Sequence, residues 1–537
     1  MTSRRSSPLF FVILALWITL GHASAATYYV STSGSDSNSG TESLPFKTIQ
    51  KGVNVAVAGD SVYVRGGTYH EAVMFGRSGE EGKPITLAGY PGERPLLDGE
   101  YTLPGGAIVD TDPKTGNTTV SLPMIHFATY SYIVVRNFEI ARSHGAGIYA
   151  SSHDNLIDDV WVREVRTSGI NLYNCQRNTV RNSRISESEN WAPYPRSAST
   201  LNWGGGLSAW GCTDGRFEGN TVFHTWGEGI IIMGAERFVI EDNVSYDNFG
   251  LQIYSEHSAY VTIARNLVYN TGDPVYLRDG NPSEGILIAD EVGMDQHFPN
   301  IYTHDIQVLN NFVTGGMYNF NWAGNLNGST RWCWEPGDPG GLANSVIANN
   351  TFVNARGIAY DPTGIRIDGG VHTNARFENN IIVQETGTIA EIFNDPNLHF
   401  SNNLWSRTPS TNASSPNDVI GDPLLAKTGP TGPGELLPDY FKLLVNSPAI
   451  DHAKVISEVT GDYFKHLRST SPDIGAHEYG AAEEDPSPTV PPSAHSSGGS
   501  GCASKSEPKE GLWVFWTAVL MILWRRGRKS PNSEKIS

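Results

Sequence analysis

A polar side chain, nearly always Asn, returns along this chain at Asn137, Asp159, Asn182, Asn220, Asn243, Asn266, Asn311, Asn350, Asn380 and Asn403. Three residues before these positions stand mostly apolar ones, from Val134 and Leu156 to Ile347 and Phe377; three residues after come Ile140, Val162, Ile185 and their successors to Val383. The spacings of 22, 23, 38, 23, 23, 45, 39, 30 and 23 reduce to a unit of 22 or 23 residues, lengthened in places by insertions. A second column begins with Gly at 147, 169, 206, 229, 250, 285 and 364. Ile148, Ile170, Leu207, Ile230, Leu251, Ile286 and Ile365 follow one residue on, and Ala150, Leu172, Ala209, Ile232, Ile253, Ile288 and Ile367 three on. Such alternation is a strand with one buried face, and a fixed period means coils that stack. The pattern predicts an all-β fold, a right-handed parallel β-helix, with successive coils paired about 4.8 Å apart and stacked Asn side chains bonded along the axis. Leucine-rich and helical repeats have similar periods, but this unit has too few leucines and too many β-branched residues. The stretch near Gly315 and Gly316 aligns with neither column.

A single-stranded solenoid needs its end covered. Phe46, Ile49, Val53 and Val57 have helical spacing just before the strand at residues 61–64, which predicts an N-terminal helical cap. The expected organisation is a cap with first coils at 26–115, coils with insertions at 116–410 and closing coils at 411–480. The termini read differently. Arg4 and Arg5, an apolar run from Leu9 to Leu20, and Ala23-Ser24-Ala25 make a signal peptide over 1–25. Residues 481–511 form a Pro/Ser/Gly linker. Residues 512–529 form a short apolar segment ending in Arg525, Arg526, Arg528 and Lys529, whose charge would hold that end in the cytoplasm. Gly501-Cys502, the apolar segment and the basic cluster together resemble the C-terminal sorting signals of bacterial surface proteins. That resemblance implies an exported protein, retained at the membrane or envelope or released after processing.

The opening from Tyr28 to Glu71 and the run SGEEGKPITLAGYPGERPLLDG resemble the start of secreted β-helix proteins, among them polysaccharide lyases of the chondroitin, alginate and pectate types. NSPAIDHA and SPDIGAHEYG resemble the closing coil of many bacterial β-helix surface proteins. The resemblance implies the fold and a polysaccharide partner; activity must be argued from residues. Two family mechanisms do not transfer. No Lys lies between Lys114 and Lys427, so a lysine base for β-elimination is missing, and the paired-Asp and Gly-His-Gly signatures of polygalacturonase-type hydrolases are not recognisable. An arginine base, Arg278 or Arg366, is left open, although arginine ordinarily stays protonated.

The formal net charge is −18, and basic runs are confined to the termini, which argues against nucleic acid. A polyanionic glycan would be repelled unless cations bridge it. A monomer is expected. Long spacings mark insertions near 189–205, 272–300 and 321–342, carrying Trp191, Tyr194, Trp203, Trp322, Trp332 and Trp334. Trp191, Trp203, Trp210, Tyr254, Trp332 and Trp334 are the candidates for stacking on sugar, with packing of the loops as the alternative. Six residues beyond the Gly column, Cys175 and Cys212 fall on neighbouring coils within disulfide range, as a bond or a stacked thiol pair. The same column sets Glu256 beside Glu291, with Asp290 adjacent, Asp368 near the same face and His257 as a possible proton carrier. Three readings stay open: a catalytic carboxylate pair, a calcium site on Glu256 and Glu291, or a solvated pair at a loop edge. The function expected is polysaccharide binding with carboxylate-based hydrolysis or calcium-assisted elimination; the alternative is a non-catalytic surface adhesin.

Overall fold

The computed structural model describes residues 25–104, 108–111, 118–120, 122–189, 204–291, 301–324, 340–357, 361–393, 395 and 397–481. Within them the chain winds into a right-handed parallel β-helix: a 24-stranded sheet carries two strands of each typical coil and an 11-stranded sheet the third. Apart from the hairpin Ile108–Thr111 with Thr118–Val120, the paired strands are parallel to those of the next coil. The core is the inward column, for example Ile230, Ile253, Ile286, Phe320 and Ile365, each fully buried. The stretch near Gly315 that matches neither sequence column is the coil whose strand is Tyr318–Ala323. Phe320 faces Ile286 there, so Asn319 stands where other coils have Gly, which hides the repeat.

The amide ladder is continuous through the last seven members of the sequence column, while the first three members stand one residue ahead of it. From Asn220 through Asn243, Asn266, Asn311, Asn350 and Asn380 to Asn403, each backbone N–H and side-chain amide donates to the Oδ1 of the next Asn, at 2.9–3.1 Å. Upstream, Ser183 fills the place, its N–H donating to Asn220. Asn137, Asp159 and Asn182 instead occupy the preceding turn position with φ of 57°, 52° and 51°, as Gly219, Asp242 and Asn310 do in later coils. Asn and Asp tolerate the left-handed region, so one residue type serves both adjacent columns.

The helix is Ile49–Val55, capped by the Thr48 side chain, with Ile49 and Val53 buried beside Val30 and Val62 of the first coil. Val57 lies beyond its end and is exposed. Cys175 and Cys212 stand opposite one another with Cα atoms 4.5 Å apart and are joined in a disulfide spanning 37 residues. Replacing both by Ala is expected to cost about 4 kcal/mol through the released loop entropy. A lower urea midpoint that reductant does not shift further would show it.

The expected closing coils stop early. Strand Val419–Ile420 adds one rung to Leu404–Trp405, and the chain then turns back along the flank instead of stacking. Phe441 stacks on Phe312 at 4.7 Å, Gly434 N–H donates to Tyr269 Oη, and Arg468 donates to Asn310 Oδ1. An apolar stripe on the outside of the coils (Phe223, Tyr246, Tyr269, Phe312) is thereby covered. In this flank His477 Nδ1 accepts the Leu443 N–H, and burial pushes the imidazole pKa down to about 4. The unfolded chain takes up that proton near pH 6.5, the folded chain only near pH 4. Stability from this group is therefore complete above about pH 6.5 and declines towards pH 4, by about 3 kcal/mol. His477→Gln should flatten the denaturation midpoint between about pH 7 and pH 4.5 relative to wild type.

Candidate functional site

The 11-stranded sheet is apolar on its outer side as well. Ile231, Met233, Leu251, Tyr254, Leu287, Ala289 and Ala323 form a buried cluster separate from the main core, with Trp210 packed against it. A sheet face open to water would alternate to polar residues; these rungs instead build a covered floor.

The candidate acids sit at the downstream end of that floor. Glu256 closes strand Leu251–Glu256, and His257 follows in the left-handed region with φ 42°. Asp290 and Glu291 follow strand Glu284–Ala289 directly. Glu256 and Asp290 are 0 % exposed, His257 1 % and Glu291 3 %. His257 Nδ1 lies 3.6 Å from Asp290 Oδ1 and 4.0 Å from Glu256 Oε1, within ion-pair distance of both carboxyls and beyond hydrogen-bond length. Thr303 donates its hydroxyl to Asp290 Oδ1 at 2.8 Å and its N–H at 3.2 Å, while Tyr254 Oη donates to Glu291 Oε1 at 2.9 Å. A Cβ at Gly340 would overlap the Asp290 carboxylate, so only glycine lets the chain rejoin the coil there. Residues 190–203, 292–300 and 325–339 lie outside the described residues; the described chain borders them at Glu189 and Gly204, at Glu291, and at Gly324 and Gly340.

The register corrects one expectation. Glu256 faces Ala289, not Glu291. The sequence column matches Gly250 to Gly285, whereas Ile253 pairs with Ile286. A two-residue slip keeps every side chain on its own face, so the apolar alternation cannot detect it. A calcium ion shared by Glu256 and Glu291 rested on their standing opposite each other, and that premise is gone; Asp290 is the carboxyl that His257 links to Glu256. The described residues do bring Glu218, Glu241 and Asp242 within 4.8 Å of one another, but on the side of the 24-stranded sheet, where Arg216 and Arg265 pair with Glu241, and Arg265 and Lys465 with Asp242.

Arg366, considered as a base, is engaged as a cation. Its Nε donates to Asp368 Oδ1 at 2.8 Å and lies 3.5 Å from Glu391, and its Nη1 donates to Tyr318 Oη at 2.9 Å. Burial works to lower its pKa, but the bond to and charge of Asp368 outweigh that and raise it, so it holds its proton. His372 accepts from Leu342 N–H and shares a hydrogen bond with Asp368 O, and burial lowers its pKa.

Of the residues expected to stack on sugar, Trp191, Trp203, Trp332 and Trp334, like Tyr194, lie outside the described residues. Trp210 is half-buried at the end of strand Gly205–Trp210, and its Nε1 has no hydrogen-bond partner among the described residues. Tyr254 is a buried floor residue holding Glu291, not an exposed platform. Sequence reasoning does not single out Thr303, Gly340 or His372. The Gly340-Gly341 pair behind a Trp-rich stretch is a signal for the second; nothing in the local sequence marks Thr303.

Two family models match this chain: "Pel9A-like, right handed beta helix region" over residues 28–192 and "Right handed beta helix region" over 124–293. They relate the chain to right-handed β-helix proteins of the pectate lyase Pel9A kind. Pectate lyase PEL9 of Emericella nidulans is 32% identical over 159 residues, 29% of this chain and 38% of that protein. The uncharacterized protein YwoF of Bacillus subtilis is 31% identical over 149 residues, 26% of this chain and 29% of that one. The matches thus span well under half of these curated relatives. Among solved structures, XylC in complex with xylose superposes with a TM-score of 0.53 at 13% identity, covering 84% of this chain and 98% of that one, which shows a shared fold. Among the described residues no helix is long and apolar enough to cross a membrane; the segments 1–25 and 512–529, expected to export and anchor the chain, lie outside them, save for Ala25.

Proposed function

We propose that this chain is an exported, envelope-anchored enzyme that hydrolyses glycosidic bonds in a polysaccharide on the outer face of its 11-stranded sheet. The observation that carries this is the buried set Glu256, His257 and Asp290 at the ends of neighbouring strands of that sheet. Hydrolysis needs two carboxyls with different protonation states: one gives a proton to the departing sugar oxygen, the other acts as nucleophile or activates water. An imidazole between them divides their environments, and the Thr303 donors favour the ionised form of Asp290. Tyr254 would position Glu291 as a third carboxyl beside the substrate. Elimination has less support, because it needs a base near a uronate. Among the described residues the strands of this sheet carry no Lys, and their one arginine, Arg366, holds its proton.

The test is product release from a polysaccharide panel by the full chain. Reducing ends without ultraviolet-absorbing unsaturated products are expected. Unsaturated ends would replace hydrolysis by elimination, and binding without any product would leave a surface adhesin.

A further inference from the structure

Charge is divided between the faces of the solenoid. The strands of the 11-stranded sheet carry four glutamates, Glu228, Glu256, Glu284 and Glu391, and one Lys or Arg, Arg366. Asp290, Glu291 and Asp368 follow directly at strand ends, and Arg366 is already engaged by Asp368 and Tyr318. The 24-stranded sheet, by contrast, bears Arg136, Arg163, Arg181, Arg184, Arg216 and Arg376 on its strands, interleaved with acids.

On the three rungs from strand Ile125–Ala128 to strand Ile170–Tyr173 the outer face is polar without charge. His126, Tyr149 and Asn171 occupy one outward column on three successive rungs, and Trp210 ends the next strand. Burial pushes the Tyr149 pKa up to about 12 and that of His126 down, so both are uncharged at neutral pH. His126 Nδ1, Asn171 Oδ1 and Trp210 Nε1 have no hydrogen-bond partner among the described residues. Neutral donors and acceptors beside aromatic rings match sugar hydroxyls and ring faces.

We propose that the glycan taken by this face is neutral, built of hydroxylated or N-acetylated sugars rather than uronates. The proposal rests on the reading that Glu256 and Asp290 act on a glycan. A polyuronate would set a carboxylate on every ring against buried carboxyls, and like charges away from water repel strongly. The Pel9A-like match ends at residue 192, before the first of these acids.

Calorimetric titration of the full chain would compare xylo-, cello-, galacto- and chito-oligosaccharides with oligogalacturonate and oligomannuronate, in calcium and in chelator. At least one neutral probe should bind about tenfold tighter than either uronate in both conditions, and Trp210→Ala should weaken it about tenfold. Tighter binding of a uronate, with or without calcium, overturns the proposal. Product release from that uronate by Glu256→Gln would then show whether the carboxyl reading survives alone. Absence of binding by every probe overturns both.

Discussion

Asp290→Asn, and separately Glu256→Gln, should each lower kcat by about a thousandfold or more, the scale of losing a general acid, base or nucleophile. KM should change little, because the amide keeps the shape of the side chain it replaces. The amide oxygen introduced at position 290 can still accept from Thr303, so the urea midpoint should hold within about 1 kcal/mol of wild type. His257→Gln should cost less and move the pH profile, since the imidazole contacts both carboxyls without joining the reacting bonds. Equal small losses in all three variants would sink the assignment. Steady-state kinetics over a range of pH reads the difference directly.

The second large effect concerns the ladder. Asn311→Ala should destabilise the protein by about 5 kcal/mol although it touches no proposed site residue. The Asn311 Oδ1 accepts the Asn266 N–H and side-chain amide, both at 2.9 Å, and its amide donates to Ile263 O and Asn350 Oδ1. All these groups are buried where water cannot replace the lost partner. Two partners lose their hydrogen bond outright and two are weakened, and an unmet buried group costs about 1–3 kcal/mol. Denaturant unfolding measures it. A loss near about 1 kcal/mol would mean that the stack relaxes around the gap, as a quasi-one-dimensional fold can do by local opening.

The fold was legible because a solenoid writes its periodicity into the chain. Inward positions repeat as apolar residues at every coil, and the disulfide column from Cys175 to Cys212 follows from the same count. Register within a column was less legible. Asn182 and Asn220 look equivalent, yet one fills a left-handed turn and the other the ladder, because amides suit both places. Gly250 and Gly285 look equivalent, yet a two-residue offset separates them and leaves the face pattern unchanged.

The site followed from this in part. Glu256, Asp290 and Glu291 were visible as acids in or beside one column of the repeat, which placed them as candidates on one sheet. Their partners were not visible. Thr303 and Gly340 reach Asp290 from beyond insertions whose length says nothing of where they return, and Arg366 loses its freedom to act as a base only through Asp368 and Tyr318 beside it. The flank formed by residues 421–481 was also hidden, since an apolar segment that covers a stripe of aromatics reads like one more coil. By itself the sequence determined the stacked coils, their period, the acidic character and the side that bears insertions, because these depend on local alternation and on sums over residues. Only the tertiary structure decided which carboxyl shares an imidazole with which, because a distance of 3.6 or 4.0 Å between side chains depends on register and turn geometry that alternation of apolar and polar residues does not encode.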